Sequence, residues 1–204
     1  MGLLLFENIK LFFIKPKQLF LILKNSPDLK SASILLLIGV SFLLLPNIKL
    51  FVSKTNTTIG IGSIVIASIL STIFMIGIAL AALLCGSFFI LLFCRIFGSK
   101  PKFTAILSAV IYCSSIPGII FNIFYTLLPI KTDLSNIISI NSAHPFLKEA
   151  IQSIEIFRLW IAAMEVVAIS IISEITYFRS FIIVFSLWII GLIWIYFFDL
   201  KMAI

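Results

Sequence analysis

The chain has 204 residues, 62% of them hydrophobic and 11% charged, with a net charge of +7 and a mean hydropathy of +1.26. Soluble domains carry about 45–50% apolar and about 25% charged residues, so no water-soluble globule of this composition could hide its apolar surface. A soluble enzyme, a disordered tail and a disulfide scaffold are excluded, and an integral membrane protein is what remains.

Residues 1–25 are too interrupted by charge to cross a bilayer. At 100° per residue they are two-faced. Leu5, Ile9, Phe12, Phe13, Leu19, Phe20 and Leu23 share one side, and Glu7, Lys10, Lys17, Gln18, Lys24 and Asn25 share the other. Pro16 starts a second short helix and bends the segment. A basic amphipathic helix of this kind lies in the membrane interface, so Lys10, Lys15, Lys17 and Lys24 are expected to contact anionic head groups. Its role is either a structural anchor for the helices that follow or a membrane-sensing element. No apolar h-region with a cleavage site accompanies it, so a cleavable signal peptide is not expected.

Residues 26–204 form the membrane domain. A spanning helix needs about 20 residues. Charge-free runs cover 31–48, 55–94, 103–130 and 180–198, and a further apolar stretch, 159–173, is broken only by Glu165. The run 55–94 has its polar residues and glycines at its start and no polar turn in its middle, so it reads as a loop and one long helix. Five spans are predicted, over about 27–46, 63–97, 101–129, 157–174 and 179–198. Ser26-Pro27-Asp28 supplies an N-cap, a proline at N1 and a first-turn acid, and Pro46 closes the first span. Arg95 and Gly98 end the second span and Ser99-Lys100-Pro101 opens the third, which makes those helices antiparallel neighbours. The fourth and fifth are joined by a tight turn near Glu174–Arg179. In the second span, Ser63, Ala67, Ser71, Ala82 and Gly86 recur at small-residue spacing and predict close helix packing.

Orientation follows from Lys and Arg in the short loops. With the N-terminus inside, the inner side holds Lys10, Lys15, Lys17, Lys24, Lys30, Arg95, Lys100, Lys102 and Arg179. The outer side holds Lys49, Lys54, Lys131, Lys148, Arg158 and Lys201. The bias favours a cytoplasmic N-terminus and a C-terminus on the outer side of the cell membrane. The fold class is therefore all-α: a polytopic bundle of five transmembrane helices preceded by an N-terminal interfacial amphipathic helix.

Several short motifs occur in a fixed order. They are Ile14-Lys15-Pro16-Lys17-Gln18-Leu19-Phe20, then Pro27, then Arg95-Ile96-Phe97-Gly98 and Ser99-Lys100-Pro101-Lys102-Phe103. Tyr112-Cys113-Ser114-Ser115-Ile116-Pro117 and Phe157-Arg158-Leu159-Trp160 follow. In this order and spacing the chain resembles the Yip1 domain family in its prokaryotic form, over nearly its whole length. The resemblance implies five spans with a cytosolic N-terminus. Eukaryotic members of the family associate with Rab GTPases. This chain lacks their Asp-Leu-Tyr-Gly-Pro type motif and their long cytosolic N-terminal region, so Rab binding is not carried over.

Glu165, near the middle of the fourth span, is costly at that depth and is expected to face a cavity or a partner. Arg158, seven residues earlier, shares its helix face but lies about 10 Å away along the axis. Pro117 cannot donate to the Cys113 carbonyl and should kink the third span, where Tyr112, Ser114 and Ser115 are available to satisfy the freed backbone. Glu165, Arg158, Tyr112, Ser114, Ser115 and Pro117 form a candidate polar pocket. Cys85, Cys94 and Cys113 lie in apolar stretches without metal-ligand spacing. His144 reads as a loop residue, and Asn56-Thr57-Thr58 matches a glycosylation sequon by chance. No enzyme signature is present, so no catalytic, cofactor or metal residue is assigned. The expected function is a non-enzymatic membrane adaptor or organiser. It acts on membrane lipids or on another membrane protein, self-association included, and not on nucleic acid. The alternative is a small transporter or lipid-handling protein using Glu165.

Overall fold

The structure, a computed structural model, describes residues 2–54, 61–127 and 156–202. Asn56–Thr58, Lys131, His144 and Lys148 lie outside them, as do the side chains of Ser63, Ala67 and Ser71. Seven helices run through the described residues, with no strand among them. They are α1 (Gly2–Ile14), α2 (Pro16–Asn25), α3 (Leu29–Lys54), α4 (Ile61–Ile96), α5 (Phe103–Leu127), α6 (Ile156–Ser173) and α7 (Tyr177–Met202).

Local chemistry sets most of the boundaries. Pro16 opens α2 where its missing N–H costs nothing. α3 is capped by Asp28, whose Oδ1 accepts the Ser31 N–H at 3.0 Å. The predicted cap, Ser26, instead terminates α2, with its N–H donating to the Ile22 carbonyl at 2.8 Å. α4 closes in a Schellman motif. The Ser99 N–H reaches the Cys94 carbonyl at 2.9 Å and the Gly98 N–H reaches the Arg95 carbonyl at 3.0 Å. Gly98 sits at φ +83°, where a Cβ would be strained.

Two expectations are corrected. α3 does not stop at Pro46 but continues to Lys54. A proline removes one N–H and bends a helix, and helices in membranes tolerate that loss when neighbours satisfy the freed carbonyl. The small residues of α4 do not all mark an interface either. Ala82 is exposed, and a Cβ at Gly86 would meet nothing within 4 Å.

α4 is a single 36-residue helix, so residues 61–96 do not turn back. At 1.5 Å per residue it is about 54 Å long, more than a 30 Å hydrocarbon core requires. Among the described residues, Ile76–Ile96 and Phe103–Ile123 are long and apolar enough to cross a membrane, and Leu29–Ser41 and Tyr177–Ile193 are shorter apolar stretches. These two long stretches differ in place. In Phe103–Ile123, 61% of the window is buried, against 17% in Ile76–Ile96. α5 is therefore the axis of the bundle, packed on α2, α3, α4 and α6, with α3 its most extensive partner. At that contact Gly39 brings the α3 backbone close to α5, with Ser115 and Ile119 at 3.7 Å from where its Cβ would stand. α4 presents Phe74, Ile78, Leu84, Phe88 and Phe89 outward. Exposed apolar side chains in this number are the surface that lipid covers.

Candidate functional site

The N-terminal hairpin is built into the bundle. Leu19, Phe20 and Leu23 of α2 are fully buried, and Phe12 of α1 is nearly so. α2 packs against α5 and α6. The rings of Phe12 and Phe13 lie 6.3 and 5.8 Å from Trp160 of α6. A polar contact fixes the same docking. The Asn8 side-chain amide donates to the Tyr112 hydroxyl at 2.9 Å and to Asp28 Oδ2 at 3.2 Å. Since Asp28 also caps α3, this group ties α1, α3 and α5 together. Asn8 and Tyr112 are both buried, and buried polar groups are tolerated when paired in this way. Phe12, Leu19, Phe20 and Leu23 of the expected apolar face are thus turned into the protein, while Phe13 of that face stays exposed. The outer face, with Leu4, Phe6, Ile14, Leu21 and Ile22 exposed, is left to the surroundings.

The residues of the predicted polar pocket do not converge. Successive residues on a helix differ by about 100° in direction, so a run such as 112–117 must serve several neighbours. Tyr112 points to Asn8 of α1. Cys113 is fully buried in the core. The Ser114 hydroxyl donates to the Val110 carbonyl at 2.8 Å, within its own helix. Ser115 faces Gly39 of α3. Pro117 is buried, and the hydroxyls of Tyr112 and Ser114 are both engaged away from the Cys113 carbonyl it frees. Arg158 is exposed at the edge of an apolar cleft of about 590 Å³ between α6 and α7, lined by Leu159, Ala162, Val166, Phe185 and Trp188. Glu165, half-buried, lines neither that cleft nor the cavities beside Lys24 and Lys10.

Polar side chains do converge at one end of the bundle, where α2 finishes and the α4–α5 and α6–α7 turns meet. The Ser99 hydroxyl donates to the Ser173 carbonyl, and Cys94 Sγ lies 3.1 Å from Ser173 Oγ. The Ser170 hydroxyl closes the α6–α7 turn on the Ile175 carbonyl at 2.7 Å. Glu174 takes a left-handed conformation in that turn, at φ 54°. Its carboxylate accepts a hydrogen bond from the Lys24 ammonium and forms an ion pair with it. The Lys24 hydrogen bond, and then its charge, hold the Glu174 carboxyl below the usual carboxylate range. The Lys17 ammonium stands 6.0 Å from the Tyr177 ring centre, and the Arg179 guanidinium 5.8 Å from that of Phe97.

Lys24, Lys100 and Lys102 are brought together there with Glu174, and Lys17 and Arg179 stand over rings at the ends of the same two turns. A cavity of about 270 Å³ opens among them, walled by Lys24, Ser99, Lys100, Lys102, Ser173 and Glu174. Lys10 and Lys15 line a separate cavity of about 440 Å³ with Glu7 and Gln18. Sequence reasoning used Lys100 and Lys102 only as orientation charges and did not foresee the Lys24–Glu174 pair, whose partners are 150 residues apart. The run Ser99-Lys100-Pro101-Lys102 was the available signal.

The family model described as the Yip1 domain matches residues 9–198. No curated protein and no solved structure matches the chain.

Proposed function

The chain belongs to the Yip1 domain family of multi-pass membrane proteins, and from that premise we propose that it is a non-enzymatic membrane adaptor acting through its lysine-rich end. Members of this family are generally non-enzymatic proteins of membrane trafficking. In our reading the chain crosses the cell membrane five times. The lysine-rich end faces the cytoplasm, as the excess of Lys and Arg in short loops favours, and the C-terminus lies outside.

The observation that carries the proposal is the assembly of that end from three distant parts of the chain: the N-terminal hairpin, the α4–α5 turn and the α6–α7 turn. A docked hairpin holds its lysines in fixed positions, so it presents a shaped basic surface to lipid head groups or to a membrane partner. Gentle purification from native membranes tests this, with retained proteins and lipids identified by mass spectrometry. Wild-type protein is expected to retain a defined partner or an anionic lipid. A triple Lys10→Gln, Lys15→Gln and Lys17→Gln variant is expected to retain less of it. Identical retention by the two proteins would overturn the proposal.

A further inference from the structure

The geometry points to the cavity between Lys24, Lys100 and Lys102 as a binding site for the phosphate group of an anionic lipid. This deepens the adaptor reading and rests on it. Three observations carry it.

First, the cavity is an open cleft whose walls are fixed by structure that does not depend on a ligand. Lys24 projects from α2, whose Leu19, Phe20 and Leu23 are locked in the core. Its ammonium is held by Glu174, and its side chain is only 28% exposed. The opposite wall, Ser99–Lys102, is fixed by the Schellman motif before it and by the Ser99–Ser173 hydrogen bond. At about 270 Å³ the space holds roughly nine waters at ~30 Å³ each, enough for a phosphate and part of a head group.

Second, the charge is unbalanced. Three lysines face one carboxylate, and that carboxylate is engaged by Lys24. Lys100 and Lys102 make no ion pair among the described residues. The cavity also opens beside the first turn of α5, where the helix dipole favours an anion and reinforces the lysines.

Third, the position suits a lipid. The cavity lies at the end of the apolar stretches Ile76–Ile96 and Phe103–Ile123, which is where head groups stand. Leu21 and Ile22, on the same helix as Lys24, are exposed apolar side chains that acyl chains would cover. Basic pockets between helices on the cytoplasmic side are a recurring form of head-group recognition.

The test uses the full chain purified in a neutral detergent. Binding is measured for short-chain phosphatidylglycerol, short-chain phosphatidylcholine and inorganic phosphate. Saturable binding of phosphatidylglycerol is expected, with phosphatidylcholine and inorganic phosphate far weaker. A Lys100→Gln, Lys102→Gln variant should weaken phosphatidylglycerol binding about tenfold or more, since each lysine near a head group contributes on the order of a few-fold. A Lys30→Gln variant, changed at an exposed lysine outside the cavity, should weaken it by less than about threefold. Both variants replace exposed side chains, and their thermal unfolding is compared with wild type to confirm the fold. Inorganic phosphate that binds as well as the lipid, or displaces it, overturns the lipid assignment. Equal losses in the two variants overturn the cavity and leave the adaptor reading standing. Equal binding of the two lipids overturns anionic recognition altogether, while a protein partner retained from native membranes would still support an adaptor.

Discussion

Replacing Phe20 by alanine asks directly whether α2 is docked in the bundle or rests on the membrane surface. Phe20 is fully shielded, between α2 and the α5–α6 pair. In a soluble protein Phe→Ala in a core costs about 3–5 kcal/mol, part of it transfer from water and part the cavity left behind. Here an undocked hairpin would still place its apolar face in lipid, so most of the transfer contribution drops out. The cavity contribution remains. At about 24 cal/mol per Å³ over roughly 100 Å³ of lost side chain, it comes to ~2.4 kcal/mol before any collapse. Ile22, on the same helix but 44% exposed, is the control, and Ile22→Ala should cost under about 0.5 kcal/mol. Both are measured by denaturant titration of the purified protein in detergent micelles, with protease accessibility of residues 2–25 followed in parallel. Phe20→Ala should destabilise the whole bundle and expose the hairpin to protease, whereas Ile22→Ala should do neither. Equal and small effects of the two substitutions would refute the docking and return α2 to the membrane interface.

The Asn8–Tyr112 hydrogen bond joins residues 104 apart in sequence, so Asn8→Ala and Tyr112→Phe should each cost about 1–2 kcal/mol and be coupled. A double-mutant cycle with no coupling energy would show that the two groups do not meet. The Lys24–Glu174 pair predicts a pH dependence of hairpin docking. The Glu174 carboxyl titrates lower in the folded protein than in the unfolded chain. Its contribution is therefore complete above the unfolded carboxylate range and is lost as the pH falls through the folded value. Protease accessibility of residues 2–25 should rise between neutral and acid pH in the wild type, and Glu174→Gln should be more accessible at neutral pH and lack that carboxylate-dependent rise. The effect is small in the wild type because the carboxylate is exposed to screening.

Much of the fold was legible in the sequence, for reasons tied to particular residues. Charge-free runs mark spans because a charge in hydrocarbon is expensive, and α4, α5 and the stretch around Glu165 follow those runs. Gly98 marks the end of α4 because a glycine accepts φ +83° without a Cβ clash. The tight α6–α7 turn was also predicted, although the residue in the left-handed position there is Glu174 rather than a glycine. Pro46 misled because a proline reads as a stop in water and only as a bend in a membrane helix.

The candidate site was less legible. Periodicity identified the apolar face of the N-terminal segment but not what the face packs against. Lipid tails and the packed faces of α5 and α6 are both apolar, so Leu19, Phe20 and Leu23 suit either, and a pattern of side chains cannot distinguish them. Only the tertiary structure decides, through shape and through polar contacts such as the buried pair of Asn8 with Tyr112. The same holds for charge. Counting lysines shows which end of the bundle is basic. That Lys24 meets Glu174 while Lys100 and Lys102 face a cavity depends on three turns converging, and no local stretch of sequence records that convergence. What the sequence determined by itself is the solvent each segment requires, because transfer free energy is a property of the residues. What the tertiary structure decided is which segments serve as solvent for one another, because that depends on geometry between parts of the chain far apart in sequence.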